Sequence, residues 1–280
     1  RFEIAFQPMK GWVLPGRDDY PAALVAVRRT LHALAAMQTV EPKTARREWF
    51  RYIGLDDPPE GTGSLITVTD GTGKVLARLI VGKSEDIGDP SGAVGLYVRK
   101  PGEAQSWLVK SPADLPLSPD DWMERDIVGI DRGEIAEVSF RPASGPAFVV
   151  RRTGPNGGDF ALDAPPKGRP PAPGALDAAG SVLADFAFEA VEPRKDIDFE
   201  DGAARVVTRT FDGLIVGVDV VHANGTYWAR ISAGAAPGHA DAARRAGTVN
   251  AKTFGWAYRL SDSEGAQFMA ARDSLLQKGQ

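Results

Sequence analysis

Residues 11–42, GWVLPGRDDYPAALVAVRRTLHALAAMQTVEP, and residues 158–193, GDFALDAPPKGRPPAPGALDAAGSVLADFAFEAVEP, present the same features in the same order. Each stretch opens with a short strand pattern that carries an aromatic residue, Trp12 or Phe160. A proline-containing loop, an amphipathic helix pattern and a Val-Glu-Pro exit follow in both. Because self-similarity of this kind is typical of a repeated structural unit, we predict an internal duplication.

Strand patterns surround both stretches in the same way. Antiparallel meanders follow the two exits, at residues 64–109 and 203–233. A strand pattern also precedes each stretch, at residues 2–6 and 147–152. The second copy has a further strand before these, Glu134–Arg141, for which the first copy shows no counterpart. We therefore expect that an N-terminal piece of the first copy lies ahead of Arg1.

Helix patterns are few, and the clearest, at residues 21–37, has apolar residues spaced 3, 4 and 3 positions apart at Leu24, Val27, Leu31 and Leu34. They cover residues 21–37, 43–53, 175–186, 240–252 and a segment that starts at the Ser261–Glu264 capping box and reaches about Gln277. Together with the strand patterns they predict an α+β fold of two tandem repeats, 1–128 and 129–280. Each repeat is expected to hold an antiparallel sheet of about four to six strands with one or two helices on one face. The second repeat adds two C-terminal helices.

The composition is that of an ordinary globular protein. Of 280 residues, 43% are hydrophobic and 25% are charged, and the net charge is -4. This charge disfavours a general nucleic-acid binder. The absence of cysteine excludes disulfide scaffolds, thiolate zinc sites and cysteine nucleophiles. No apolar run approaches the roughly 18 residues that a membrane-spanning helix requires.

Two loop motifs are better explained by turns than by ligand binding. Gly71-Thr72-Gly73-Lys74 resembles part of a phosphate-binding loop, but it joins two strand patterns and no helix follows it, so a hairpin is the better interpretation. Glu85, Asp86 and Asp89 lack the spacing of a calcium loop and indicate a solvated loop.

The polar residues show no clear catalytic or metal-binding pattern. His32, His222 and His239 have no metal-ligand spacing. The carboxylate pairs lie in predicted turns, at Asp18-Asp19, Asp56-Asp57 and Asp120-Asp121. A Ser-His-Asp triad or a glycosidase-type carboxylate pair assembled from distant positions stays open. We predict no catalytic, cofactor-binding or metal-binding residue, and therefore no cofactor.

Trp256 and Tyr258 are the candidate partner-binding residues. They alternate with Ala257 and Arg259 in a strand pattern, so both side chains point to one face. If that face is exposed, two aromatic rings would be presented to a partner protein. Packing in the core is the alternative for both.

Several segments, taken in order, resemble the bacterial family known as domain of unknown function 4340. Besides the repeated stretch with its Val-Glu-Pro exit, they are Leu79-Ile80-Val81-Gly82-Lys83, Gly95-Leu96-Tyr97-Val98-Arg99, Trp122-Met123-Glu124-Arg125-Asp126-Ile127 and Phe211-Asp212-Gly213-Leu214. Most of the chain is covered. The resemblance implies one N-terminal membrane helix ahead of a periplasmic domain, encoded beside ABC transporters of the gliding-motility type. It implies no catalytic residues.

Three functions are compatible with these patterns. The first is a non-enzymatic accessory domain, anchored on the periplasmic side of the bacterial inner membrane, that binds transporter subunits or other envelope proteins. The second is a module that binds a glycan or lipid in a cleft between the repeats. The third is an unrecognised envelope hydrolase, which would require histidines or carboxylates that converge in a deep pocket.

Overall fold

The computed structural model describes residues 1–152, 154–155, 158–200 and 202–277. The chain forms two compact units, Arg1–Glu124 and Arg125–Gln280. Both contain antiparallel sheets and helices, so the predicted α+β class is confirmed. Among the described residues, no helix combines the length and the apolar composition needed to cross a bilayer.

The first unit contains two sheets and two helices. A small sheet has the order β1-β2-β3, and a larger one has the order β4-β8-β7-β6-β5. The strands are β1 (Ala5–Gln7), β2 (Gly11–Leu14), β3 (Tyr20–Pro21), β4 (Gln38–Pro42), β5 (Ser64–Thr69), β6 (Val75–Glu85), β7 (Val94–Arg99) and β8 (Ser106–Ser111). The helices are α1 (Leu24–Ala35) and α2 (Phe50–Ile53).

Two apolar clusters stabilise the larger sheet of the first unit. On one face, Ala33 of α1 packs with Val81 and Leu96. On the other face, Phe50 of α2 packs with Leu55 and Ile80. Both faces of the central strands are therefore covered, and this explains why β7 and β8 consist largely of buried residues.

The second unit contains one eight-stranded sheet with the order β11-β10-β9-β13-β14-β15-β16-β12. Its strands are β9 (Ile135–Arg141), β10 (Phe148–Arg151), β11 (Ala161–Leu162), β12 (Ala190–Pro193), β13 (Ala204–Thr210), β14 (Leu214–Ala223), β15 (Thr226–Ala235) and β16 (Trp256–Leu260). Its helices, α3 (Ala175–Ser181), α4 (Ala240–Thr253) and α5 (Asp262–Phe268), pack against the sheet.

The two faces of this sheet differ in polarity. Val206, Val218 and Phe140 share one face and are almost completely buried. Side chains of the opposite face form ion pairs across the strands, for example Arg205 and Arg230 with Asp219. The same face also holds a buried apolar cluster of Phe199, Val221, Trp228 and Ala257, so it is polar around Asp219 and covered further along the strands.

The larger sheets of the two units share a strand order. In the first unit, β4 lies beside β8, and β7, β6 and β5 follow. In the second unit, β12 lies beside β16, and β15, β14 and β13 follow. The Val-Glu-Pro exits lie within β4 and β12, where Pro42 is opposite Trp107 and Pro193 is opposite Trp256.

Four predicted helices are shorter than expected. The helix predicted at residues 21–37 spans Leu24–Ala35, and Pro21, expected at its first position, lies in β3 instead. In the predicted helix at residues 43–53, the Lys43 N–H donates to the Ser106 carbonyl, so helical structure starts only at Arg47. The predicted helix at residues 175–186 ends at Ser181.

The C-terminal helix begins with the expected capping box at Ser261 but ends at Phe268. Beyond it, Leu276 forms a β-bridge with Pro171. The Pro/Gly-rich tract of residues 163–174 is therefore tied to the C-terminal segment, and this pairing replaces the last turns of the predicted helix. At the N-terminus, the expected strand at residues 2–6 begins at Ala5.

Two glycines within helices are expected to respond in opposite ways to alanine. A Cβ at Gly180 in α3 would lie 2.4 Å from atoms of the Phe160 ring, whereas a Cβ at Gly247 in α4 would meet nothing within 4 Å. We predict that Gly180→Ala lowers the free energy of unfolding by about 1–3 kcal/mol through overpacking. Gly247→Ala should raise it by roughly 0.5–1 kcal/mol through helix propensity.

Urea denaturation of both variants tests this difference. Equal changes in the free energy of unfolding would show that α3 does not press on Phe160 as the structure describes.

Candidate functional site

A loop at the start of the second unit lines a cavity. Residues 125–131 line a space of about 270 Å³ together with Leu183, Ala184 and Phe186, which follow α3. Ile127 and Ile130 are buried and anchor the loop, while Asp126 is exposed. The lining of the cavity therefore combines buried apolar residues with exposed charged residues.

Two side chains of helix α4 form hydrogen bonds with the backbone of this loop. The Lys252 ammonium donates to the Asp126 carbonyl at 2.6 Å, and the Arg245 guanidinium donates to the Gly129 carbonyl at 3.1 Å. Because the two residues are seven positions apart, they lie on the same face of α4, two turns from each other. The helix therefore positions the backbone of the loop at two points.

Arg245 is also the centre of a charge cluster. It donates to Glu134 at 2.9 and 3.2 Å and to Asp212 at 2.6 Å. Glu134 in turn accepts from the Asp131 N–H at 2.8 Å. The hydrogen bonds that Arg245 donates to Glu134 raise the pKa of Arg245. The pKa of Asp212 lies below its ordinary value of 3.8, because Thr210 donates to it first of all and Arg245 adds to the effect.

The chemistry of this cavity suits binding. Its backbone groups and charged rim can hydrogen-bond a small polar molecule or a polar side chain of a partner. The neighbouring carboxylates of Glu134 and Asp212 are already committed to Arg245. Their hydrogen bonds rigidify the loop rather than present a free acid or base.

A wider groove of about 760 Å³ lies in the first unit. Gly82, Lys83 and Ser84 line one side, and residues 114–121 contribute the other. The strand pairing of β6 shifts its register between Val81 and Ser84. Gly82 permits this bulge, since a Cβ there would lie 2.2 Å from the Ile53 carbonyl oxygen. The Gly82-Lys83 dipeptide thus shapes the rim of an open groove.

The two aromatic residues predicted to bind a partner lie on the inner face of β16. Tyr258 is 0% exposed and its ring packs edge-on against Phe186 and obliquely on Phe188. Trp256 is half-buried opposite Pro193. The expected exposed face is therefore wrong for Tyr258, because the apolar side of this sheet is needed to close the core. Trp256 corresponds to Trp107 of β8, because each tryptophan lies opposite the proline of a Val-Glu-Pro strand.

The histidines are dispersed over the surface. His32, His222 and His239 are all exposed, and His222 stacks on Tyr227 with ring centroids 4.3 Å apart. Among the described residues, no three His, Asp or Glu side chains form a group that could hold a metal ion.

The paired aspartates are exposed or half-buried and mostly serve their own turns and neighbours. Asp19 accepts from Gln7 at 2.9 Å and from Lys10 at 2.8 Å. Asp57 accepts from the buried Arg99 at 2.6 Å. Asp120 accepts from Arg17 at 3.1 Å. These contacts link each aspartate to its own neighbouring residues. The structure does not bring the three pairs together in one pocket.

The acidic loop at residues 85–89 is satisfied by its surroundings. Glu85 accepts from the Tyr97 hydroxyl, and Asp86 accepts from the Gly88 N–H at 2.8 Å. Lys110 lowers the pKa of Asp89 to about 2, with help from Ser91. Each carboxylate has its own partner, as expected for a solvated loop.

Sequence reasoning did not identify Arg245, Lys252 and Asp212 as parts of one cluster. Two of the segments that carry the family resemblance nevertheless contribute to it. Asp126 lies in the Trp122–Ile127 segment, and Asp212 lies in the Phe211–Leu214 segment. The sequence did not show that side chains of α4 link these two segments, because nothing in the helix sequence indicates which arginine faces the loop.

The pKa of Asp212 should depend more on Thr210 than on Arg245. We predict that Thr210→Val raises this pKa further towards 3.8 than Arg245→Gln does, because the threonine hydroxyl is the largest cause of its depression. Above 3.8 the ionised Asp212 stabilises the fold, and this contribution is lost as the pH falls through the lower folded-state pKa.

Carboxyl-carbon NMR titration measures the shift, and Thr248→Val on the exposed side of α4 is the control. A larger effect of Arg245→Gln would contradict the assigned cause.

Comparison with known proteins identifies a family but no annotated relative. The profile of "Domain of unknown function (DUF4340)" matches residues 12–199. This range contains the cavity loop and both Val-Glu-Pro strands. No curated protein and no solved structure matches the chain. Since the match spans well over half of its length, the chain belongs to the DUF4340 family.

Proposed function

We propose that this protein is a non-enzymatic accessory domain on the periplasmic side of a bacterial inner membrane. In this proposal a membrane helix ahead of Arg1 anchors the chain, and the domain binds subunits of an ABC-type transporter or other envelope proteins. The family resemblance suggests the location and the transporter. One structural observation supports a binding role and indicates which unit binds.

The exposed apolar side chains are concentrated in the first unit. Among the described residues, thirteen of fifteen exposed large hydrophobic residues belong to Arg1–Glu124, although this is the smaller unit. Only Phe211 and Phe254 belong to the second. Single exposed apolar residues are normal, but their concentration in one of the two units is not expected from chance. This difference supports the proposal that the first unit is the one that binds a partner.

These residues form groups on separate elements of the first unit. Phe6 and Met9 lie on the β1–β2 hairpin, and Met9 at its turn is 96% exposed. Val25 of α1 is 78% exposed and Leu76 of β6 is 61% exposed. Most of the Met9 and Val25 side-chain surface is in contact with solvent, so a partner could bury it.

We also propose that the two units are copies of one ancestral unit. Their larger sheets share the strand order described above, and each Val-Glu-Pro strand pairs with the last strand of its sheet. The tryptophans opposite the two prolines, Trp107 and Trp256, extend the correspondence beyond the stretches that revealed the repeat. In this interpretation the first copy acquired the docking surface and the second kept a polar one.

Removing the exposed apolar groups should weaken binding without affecting the fold. We predict that Met9→Ser, Val25→Ser and Leu76→Ser together reduce co-purification of transporter subunits from the membranes of the source bacterium by about tenfold or more. Burial of one such side chain contributes roughly 1.5–3 kcal/mol, and 1.4 kcal/mol corresponds to about a factor of ten. The free energy of unfolding should change by less than about 0.5 kcal/mol per substitution.

Phe254→Ser is the matched control, because Phe254 is 83% exposed in the second unit. It should leave co-purification unchanged. Recovery of no membrane protein by the unsubstituted chain, together with a full-length protein in the cytoplasm, would contradict the proposed function.

A further inference from the structure

Strand β5 is a six-residue edge strand whose pairing with β6 is regular from Ser64 to Val68 and shifts register only at Thr69. In the part of the chain that the structure describes, it pairs with β6 on one side and with no strand on the other. Its sequence, Ser64-Leu-Ile-Thr-Val-Thr69, contains no charge and no proline. Natural sheets protect such edges with charges, prolines, bulges or very short strands, since a free row of N–H and C=O groups attracts another strand.

The other edge strands carry this protection. β3 and β11 have two residues each, and β3 ends at Pro21. β4 and β12 both end in Glu-Pro. β1 has three residues and is followed by Pro8. Among the edges described, β5 is thus the one whose length and sequence are those of an interior strand.

The second unit shows what covers the equivalent edge. Its strand β13, which has the position of β5 in the shared order, pairs with β9 along Arg205–Thr210. Four of the seven residues of β13 are buried, whereas none of the six in β5 is buried. The interior strand β13 is therefore more buried than the edge strand β5 that corresponds to it.

Strand β9 pairs with a strand on each of its two sides. β9 also pairs with β10, which continues to β11. In the first unit the hairpin β1–β2 precedes the Pro loop and α1 as β10–β11 precedes the Pro loop and α3. β1 pairs only with β2 among the described strands. Of the four edge strands of the first unit, β1 and β5 therefore correspond to β10 and β13, the two strands that β9 joins.

We propose that one antiparallel strand, supplied by the chain immediately ahead of Arg1, pairs with β1 on one side and with β5 on the other. It would join the two sheets of the first unit into one, in the order found in the second. Its residues should alternate apolar and polar, because one face would meet Ile66 and Leu79, which pack only partly against the α1 cluster.

The short connection favours this occupant over a second copy of the chain. Six residues separate β9 from β10, so a hairpin brings the strand to its partner at a high effective concentration. One strand in this position satisfies both edges at once. A second copy pairing along β5 would leave β1 unpaired.

Hydrogen exchange of the β5 amides tests the proposal. The 280-residue chain is compared with one that also carries the residues its gene encodes ahead of Arg1. We expect every second amide of Ser64–Thr69 to exchange at least about 100-fold more slowly in the longer chain, because each gains a buried hydrogen bond. The amides of β13, already covered by β9, are the internal control and should not change. Unchanged exchange in β5, or a gene with too few residues ahead of Arg1 for a strand and a turn, would overturn the proposal.

A disulfide scan identifies the occupant, and the chain contains no native cysteine to interfere. Thr67→Cys is combined with single cysteines through the added segment, and Ser139→Cys with Val207→Cys is the positive control, since these two residues are directly paired. We expect cross-links within one chain at a few positions on one face of the segment. A disulfide-linked dimer through Thr67→Cys alone, with no cross-link within a chain, would overturn the proposal and place a second copy on β5. Neither experiment depends on transporter binding, so the proposed function is tested separately.

Discussion

Antiparallel pairing between the Val-Glu-Pro strand and the last strand of its unit is the interaction on which both units depend. The chain forms a helix, crosses to the far edge of the sheet as β4 or β12, and then returns through a meander that ends beside it. Each buried N–H and C=O group needs a partner, so this pairing determines where the meander ends. The terminal proline then prevents further strands from adding at that edge.

The rest of each unit follows from which sheet faces are covered. In the first unit, α1 and α2 cover both faces, and apolar side chains of the hairpins and helix remain on the outside. In the second unit, one face is in the core, and the other carries cross-strand ion pairs around Asp219 beside a smaller buried cluster that contains Val221 and Trp228. The two units therefore offer different surfaces, one apolar in many places and one polar, on sheets with the same strand order.

The sequence predicted the elements whose signals are local. The Leu24–Ala35 helix, the Ser261 capping box and the β14–β15 hairpin at Asn224-Gly225 depend on spacing and turn chemistry within a few residues. Prediction from the sequence failed where contacts between residues far apart in the chain determine the local structure. Lys43 pairs with Ser106 instead of starting a helix, and Tyr258 faces the core because its sheet neighbours leave no other side for it.

The candidate site illustrates the same limit. Two of the segments that resemble the family lie on either side of Arg245, but the resemblance did not show that they meet. Arg245 has ordinary helical neighbours, and its role arises from three carbonyl or carboxylate groups that the fold brings to it. Charge clusters built from separate elements cannot be identified from spacing along one element.

Photo-cross-linking in living cells tests the central claim, that the first unit binds an envelope partner, most directly. A photoreactive amino acid replaces Met9 in the first unit or Phe254 in the second, two apolar positions of similar exposure. We expect Met9 to cross-link to an inner-membrane transporter subunit and Phe254 to give no such product. Cross-links to membrane proteins from Phe254 alone, or from neither position, would contradict the claim.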